Sequence, residues 1–475
     1  MSNQKITSLA KLNQALIKGR LKPADLQRFF VNYADVQTVE GKVSMYYAEG
    51  MIDSTQLNEF SEAVEQAILD NKLEKASKNL PPISSLTSLD EMIESLFSGL
   101  LILYKDGDTF FYTVNISKIP KREPEESTSE ISIKGPRDGF TEEVNVNVSL
   151  IRKRLKSKEL YNQAFELGSI SKTKVSLLYL KNRANSKVIK EIDHRLKKIQ
   201  VDSIISSGQL EQWLSDRTFS LFPLFDYIAR PDFVVESLLK GKFILIVDGS
   251  PLVLIGPVNL LELLNSPEDI HYSFQIIIFQ KIFRVMGLFA AIFLPGFWVS
   301  ITSVNIDQLP LNLLATIVES RQGMPLPFAL EFIFILVLFE ILREAGIQMP
   351  KPIGQTITVV GGLIIGDAVI RAGLASPTLI VVIAVSVVST YTLVNQSLVA
   401  SVSILRVYLI LTSAILGVYG FILGLISILV YVCRLESFGI SYVQPITEIN
   451  WKKIYSSIFF TLLRKRKPNT LHNKK

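Results

Sequence analysis

The side chains with most to explain lie in the most apolar part of the chain. Glu331 stands inside residues 325–341 (PLPFALEFIFILVLFEI), and Glu340 lies near the end of the same run. A carboxylate facing lipid is costly, so Glu331 is expected to face protein or water; alternatively, the segment lies at the membrane interface and Glu331 reaches water directly. Asp367 and Arg371 are four residues apart, which lets them pair on one helix face in low dielectric or snorkel from a helix end. Ser386, Ser389, Thr390, Thr392, Asn395, Gln396 and Ser397 then form a polar stripe. Such a stripe serves helix packing through small residues, or it walls a water-filled path. Glu331, Asp367, Arg371, Ser386, Ser389 and Asn395 are therefore the candidate pore or gating residues.

Nothing comparable points to an enzyme. His194, His271 and His472 lie far apart, and Cys433 is the only cysteine, which excludes a Cys-type zinc site and an internal disulfide. No HExxH, GxSxG or GxxxxGK[ST] pattern occurs, so neither catalysis nor a cofactor or metal is expected.

Hydropathy sets the elements that must carry the polar residues. The chain has 475 residues, 48% of them hydrophobic, and a mean hydropathy of +0.32. No charge occurs between Arg284 and Asp307, from Ala372 to Leu405, or from Val407 to Cys433. Each stretch is long enough for a membrane helix of about 20 residues. Pro295-Gly296 near the centre of the first span reads as a hinge or a packing kink. Residues 311–318, 325–341, 353–373, 372–405 and 407–433 complete an ambiguous set; about four crossings are expected, with one segment re-entrant or interfacial, 325–341 being the first suspect. The net charge is +6, yet eight Lys or Arg follow Glu448 with no acid among them, so the basicity is a tail. A basic flank marks the cytoplasmic side and attracts anionic membrane lipid, and no nucleic-acid partner is implied. The N-terminus lacks the apolar run of a signal peptide, so both ends are expected on the cytoplasmic side.

Before residue 282 the chain reads as soluble. Residues 1–80 are expected to be a helical extension, with Leu57, Phe60, Val64 and Ile68 at helical spacing. An internal repeat follows: residues 94–107 (ESLFSGLLILYKDG) align with residues 236–249 (ESLLKGKFILIVDG), and Asp90 and Asp232 precede them at matching places. Each copy predicts an Asp N-cap, a short helix stopped by Gly99 or Gly241, a strand, an Asp-Gly turn and a returning strand. Residues 81–134 and 135–281 are thus expected to be two related α/β subdomains. Asn145, Asn147 and Ser149 alternate with Val146 and Val148 as in a strand, and Arg137 with Asp138 marks either a charged turn or a subdomain junction. The fold class expected is an α/β soluble N-terminal region plus an α-helical multi-span membrane domain over 282–440, with a basic tail from 441.

Several motifs are long enough to carry a resemblance. Gly135-Pro-Arg-Asp-Gly-Phe-Thr-Glu142, residues 147–154 (NVSLIRKR), Arg230-Pro-Asp232, Asp248-Gly-Ser-Pro251, Glu340-Ile-Leu-Arg-Glu-Ala-Gly346, Pro352-Ile-Gly354 and Ser437-Phe-Gly439 resemble, in order, the GerA-type spore germination receptor A subunits. The resemblance makes Arg137, Asp138, Gly139, Asp248, Gly249, Glu340, Arg343, Glu344, Gly354 and Gly439 structural motif residues. It implies a subunit of a nutrient-sensing complex in the spore inner membrane, working with a transporter-like B subunit and a lipoprotein C subunit. It also implies a homo-oligomer, a pentamer, that releases monovalent cations. The chain departs from the family pattern at Ser441, where proline is usual, and at Asp367 and Arg371, which replace uncharged polar residues. The competing reading from residues alone is a transporter or lipid-handling membrane protein with a regulatory cytoplasmic domain.

Overall fold

A computed structural model describes residues 9–70, 81–118, 133–217, 219–349, 361–362 and 364–444. The chain forms two compact units, residues 1–218 with 224–258, and residues 219–223 with 259–475.

In the first unit, α1 (Leu9–Ile17) and α2 (Pro23–Phe30) precede a hairpin of β1 (Val36–Val39) and β2 (Val43–Ala48), followed by α3 (Ser54–Leu69). Then come β3 (Ile83–Leu86), α4 (Leu89–Leu96), β4 (Leu100–Lys105) and β5 (Phe111–Asn115). The second half runs α5 (Val144–Arg154), β6 (Leu160–Leu167), β7 (Thr173–Leu180), α6 (Ser186–Lys198), α7 (Ser207–Leu214), β8 (Asp226–Ile228), α8 (Pro231–Leu239), β9 (Phe243–Val247) and β10 (Val253–Gly256). The two antiparallel sheets have orders β1-β2-β4-β5-β3 and β6-β7-β9-β10-β8. These are the same topology, so the repeat visible over residues 94–107 and 236–249 extends to whole five-stranded sheets.

That symmetry corrects the expected helical extension over residues 1–80. β2 pairs with β4 (Met45 opposite Leu103), so residues 36–48 complete the first sheet. Val, Tyr and Met suit a half-buried strand, and Glu40-Gly41-Lys42 makes the turn. A second correction concerns residues 144–154, which are helical despite their alternation. The Asp248 carboxylate accepts the Val144 amide (3.2 Å), a donor that a helix start leaves open, and the Asn147 side chain turns back to accept the Thr141 amide ahead of the helix (2.8 Å). Asp90 and Asp232 are not N-caps: Ser88 and Arg230 hold those positions, and each Asp lies in the first turn, where it complements the helix dipole. Gly99, Gly107, Gly241 and Gly249 all have positive φ, as the predicted helix stops and hairpin turns require. All of β9 is buried, making FILIV the centre of the second core.

The second unit is helical. It contains α9 (Phe274–Val299), which continues as a π-helical turn over Ser300–Val304, α10 (Leu311–Ser320), α11 (Phe328–Gln348), helical residues 364–371, α12 (Pro377–Thr390) and α13 (Gln396–Cys433), then a two-stranded turn, β11 (Glu436–Ser437) and β12 (Ile440–Ser441). By length and composition alone, Phe274–Val304 and Gln396–Cys433 could cross a membrane. Arg284 anchors α9 through a bidentate pair with Asp269 (2.7 and 2.9 Å). At Pro295-Gly296 the helix continues, and Gly296 has a packing reason: a Cβ there would lie 3.0 Å from Leu409 Cβ.

The expected last span over 407–433 is corrected most. Within α13, Gly417 is non-helical (φ 61°, ψ −140°). The Tyr408 and Ser427 hydroxyls are 2.8 Å apart, whereas 19 residues of straight helix extend about 28 Å. Leu409 likewise packs against Gly424. The helix therefore folds back on itself as two antiparallel arms, residues 396–416 and 418–433, about 31 and 24 Å long. Asn305, just beyond the π turn of α9, accepts the Val418 amide at the tip (2.9 Å). It thereby satisfies a donor that the break exposes.

Candidate functional site: a charged cluster among apolar helices

The polar residues inside the helical unit converge on Arg406, the one residue between the last two uncharged stretches. Arg406 is 1% exposed on the first arm of α13. It pairs with Glu340 of α11 and donates to Ser386 (3.2 Å) and Thr390 (3.5 Å) of α12 and to Ser403 (3.3 Å). Glu340 pairs in turn with Arg343 (2.7 Å), the expected i,i+3 contact, and Arg343 donates to Ser403 (2.8 Å). Ser386 passes the network to α9 by donating to the Ala291 carbonyl (3.1 Å). Four helical segments thus meet around one carboxylate and two guanidiniums. In an apolar surround each of these groups needs its partners, because an unpaired charge there is strongly unfavourable.

A second contact lies at the other end of α11. Glu331 is fully buried in the helix's first turn; it accepts the Ser376 amide (2.6 Å) at the N-cap of α12 and pairs with Arg321 (3.4 Å). Its surroundings are protein rather than an aqueous lumen of this chain. Ser386 is buried, Ser389 half-buried with its carbonyl accepting the Thr392 hydroxyl, and Asn395 caps α13 by accepting the Leu398 amide (3.0 Å). Asp367 and Arg371 differ from all of these. They pair with each other (2.8 Å), yet their side chains are 61% and 79% exposed. The geometry thus separates buried Glu331, Ser386 and Asn395 and half-buried Ser389 from one exposed pair.

Several of the motif residues make contacts within the fold. Asp138 pairs with Arg154 of α5, and buried Gly139 precedes Phe140, whose amide donates to the Ala229 carbonyl (2.8 Å). Arg137 is exposed. Asp248-Gly249 makes its turn and also holds α5, since the Gly249 amide donates to the Glu142 carbonyl (2.8 Å). Glu344 is exposed and accepts from Gln348 (3.1 Å). Gly439 takes φ 71° in the β11–β12 turn, and Gly354 lies outside the described residues. Among the described residues no group of His, Cys, Asp and Glu could hold a metal ion.

Sequence reasoning missed Arg406, Asn305 and Gly417. The signal for Arg406 was its position: a lone charge between two long uncharged stretches must find a buried partner. For Asn305 and Gly417 no local signal exists, because the reversal shows only through contacts between distant residues.

Comparison with known proteins decides the family. The Bacillus/Clostridium GerA spore germination protein family matches residues 17–470. The chain belongs to that family. It is 41% identical over 451 residues to spore germination protein XA of Bacillus anthracis, covering 92% of this chain and 90% of the relative. It is 32% identical over 426 residues to spore germination protein KA of Bacillus subtilis, covering 88% of this chain and 78% of that one. The crystal structure of the N-terminal domain of the A subunit of the Bacillus megaterium spore germinant receptor GerK3 aligns at 28% identity and a TM-score of 0.37, over 48% of this chain and 89% of that one.

Proposed function

We propose that this GerA-family chain is the A subunit of a nutrient-gated spore germination receptor in the spore inner membrane. In this reading it assembles with a transporter-like B subunit and a lipoprotein C subunit, and copies of it, as a pentamer, form a channel that releases monovalent cations. The observation that carries the reading is the 41% identity to a spore germination protein across 92% of the chain. The exposed Asp367–Arg371 pair supports it, because an ion pair turned outward from an apolar unit calls for a partner or water opposite it. The antiparallel arms of α13 enter and leave on one side, which fits an even number of crossings that returns both termini to one side. Labelling of cysteines placed at Lys153 and Lys467 should then occur from the same side.

Deleting the chain in its spore-forming host and measuring early potassium release against a nutrient panel tests the reading. Loss of release to at least one nutrient is expected; unchanged responses to all would overturn it. Asp367→Asn is expected to impair assembly or release, and Arg371→Gln in the same chain to restore it.

A further inference from the structure

The open end of the α13 hairpin is held by five residues that come from elsewhere in the sequence. Residues 219–223 pack with the helical unit, although the chain before and after them belongs to the first unit. The single residue Leu221 touches both arms: its carbonyl accepts from the Ser401 hydroxyl on the first, and its amide donates to the Tyr431 hydroxyl (2.8 Å) on the second. Phe222 is 3% exposed, its ring lying 6.3 Å from that of Tyr431 and 5.9 Å from that of Tyr442. Buried Tyr442 closes the clasp by donating to the Pro223 carbonyl (3.0 Å), while its own carbonyl accepts the Leu260 amide (3.0 Å).

We propose that residues 219–223 are a latch that sets the separation of the two α13 arms at their base and so holds the helical unit in one of two arrangements. Three features argue for a latch rather than ordinary packing. The contacts to the arms are two neutral hydrogen bonds and one buried ring, a small enough set for a ligand's differential affinity to release. The tip is fixed independently by Asn305, so loosening the base pivots the arms about Gly417 instead of unfolding them. The strap is a separate five-residue excursion, flanked in sequence on both sides by residues of the first unit. Control of arm separation stands apart from the receptor reading; only its use in gating rests on that reading.

Distance measurement between spin labels tests the latch without any germination assay. In the full chain with Cys433→Ser, labels at the exposed positions Ile404 and Val430 report the arm separation at the base. Ser401→Ala with Tyr431→Phe, and separately Phe222→Ala, should shift the distribution to longer separations and broaden it. Leu221→Ala, which keeps the peptide contacts, should leave it close to the parent. If both latch variants reproduce the parent distribution while the protein remains folded by circular dichroism, the latch is refuted. A shift confined to Phe222→Ala would likewise refute the role of Leu221.

Discussion

Arg152 and Asp35 lie 117 residues apart in sequence and form a buried bidentate pair, Nε to Oδ2 at 2.8 Å and Nη2 to Oδ1 at 3.2 Å. Arg152 comes from α5, which leads into the second sheet, and Asp35 from the turn before the first. Asn162 of β6 donates to the same carboxylate (3.2 Å), and the guanidinium lies 3.8 Å from the Phe97 ring centroid. The pair therefore holds the two sheets of the first unit together. Asp35→Ala strands a buried cation and should destabilise the unit by about 3–5 kcal/mol. Asp35→Leu combined with Arg152→Met should recover much of that, because the desolvated charges leave together. Denaturant titration with hydrogen exchange localised to α4 and β6 reads both effects; protection unchanged in Asp35→Ala would exclude this role.

The cluster around Glu340 makes an asymmetric prediction. One carboxylate serves two guanidiniums, so Arg406→Gln leaves the Glu340–Arg343 pair balanced, whereas Glu340→Gln leaves two cations without a counter-charge. Glu340→Gln should be the more damaging by about 1–3 kcal/mol, the cost of unsatisfied buried partners. Thermal unfolding of the two variants in the same detergent gives the order. Equal losses would mean that the network acts through hydrogen bonding alone.

Glu211 gives a pH dependence. Burial raises its carboxyl above the ordinary carboxylate range, opposed in part by hydrogen bonds from Tyr227 and from the backbone of Leu224 and Phe225. The folded state therefore holds this proton more tightly than the unfolded one. Its stability contribution is fully present below the unfolded value and is lost as pH rises through the folded value. Glu211→Gln should flatten that slope and leave the variant relatively more stable toward neutral pH, as measured by unfolding across that window. A parallel pair of curves would show that Glu211 titrates normally.

Much of this was legible in the sequence because it is local. The repeat at residues 94–107 and 236–249 encodes helix stop, strand and Asp-Gly turn within 14 positions, and the structure reproduces each. Residues 36–48 were lost to a helical reading because their partner strand, β4, is more than 50 residues away. Alternation at Asn145–Ser149 misled because capping by Asp248, about 100 residues on, overrides the pattern. Glu331, Asp367 and Arg371 were found as charges out of place, but whether each faces inward or outward depends on packing that no periodicity reveals.

The reversal at Gly417 closes on Asn305. A Cβ at Gly417 would sit 2.1 Å from Asn305 Oδ1 and 2.8 Å from Val304 Cβ, and the φ of 61° already disfavours any L side chain. Gly417→Ala should thus cost about 1–3 kcal/mol from the backbone alone, with the clash added. Asn305→Ala removes the acceptor of the Val418 amide and should cost about 1–3 kcal/mol in a site shielded from water. The two changes break one contact, so the double variant should lose less than the sum of the single losses. Additive losses in thermal unfolding would show that Gly417 and Asn305 act separately and that the tip is held by other contacts.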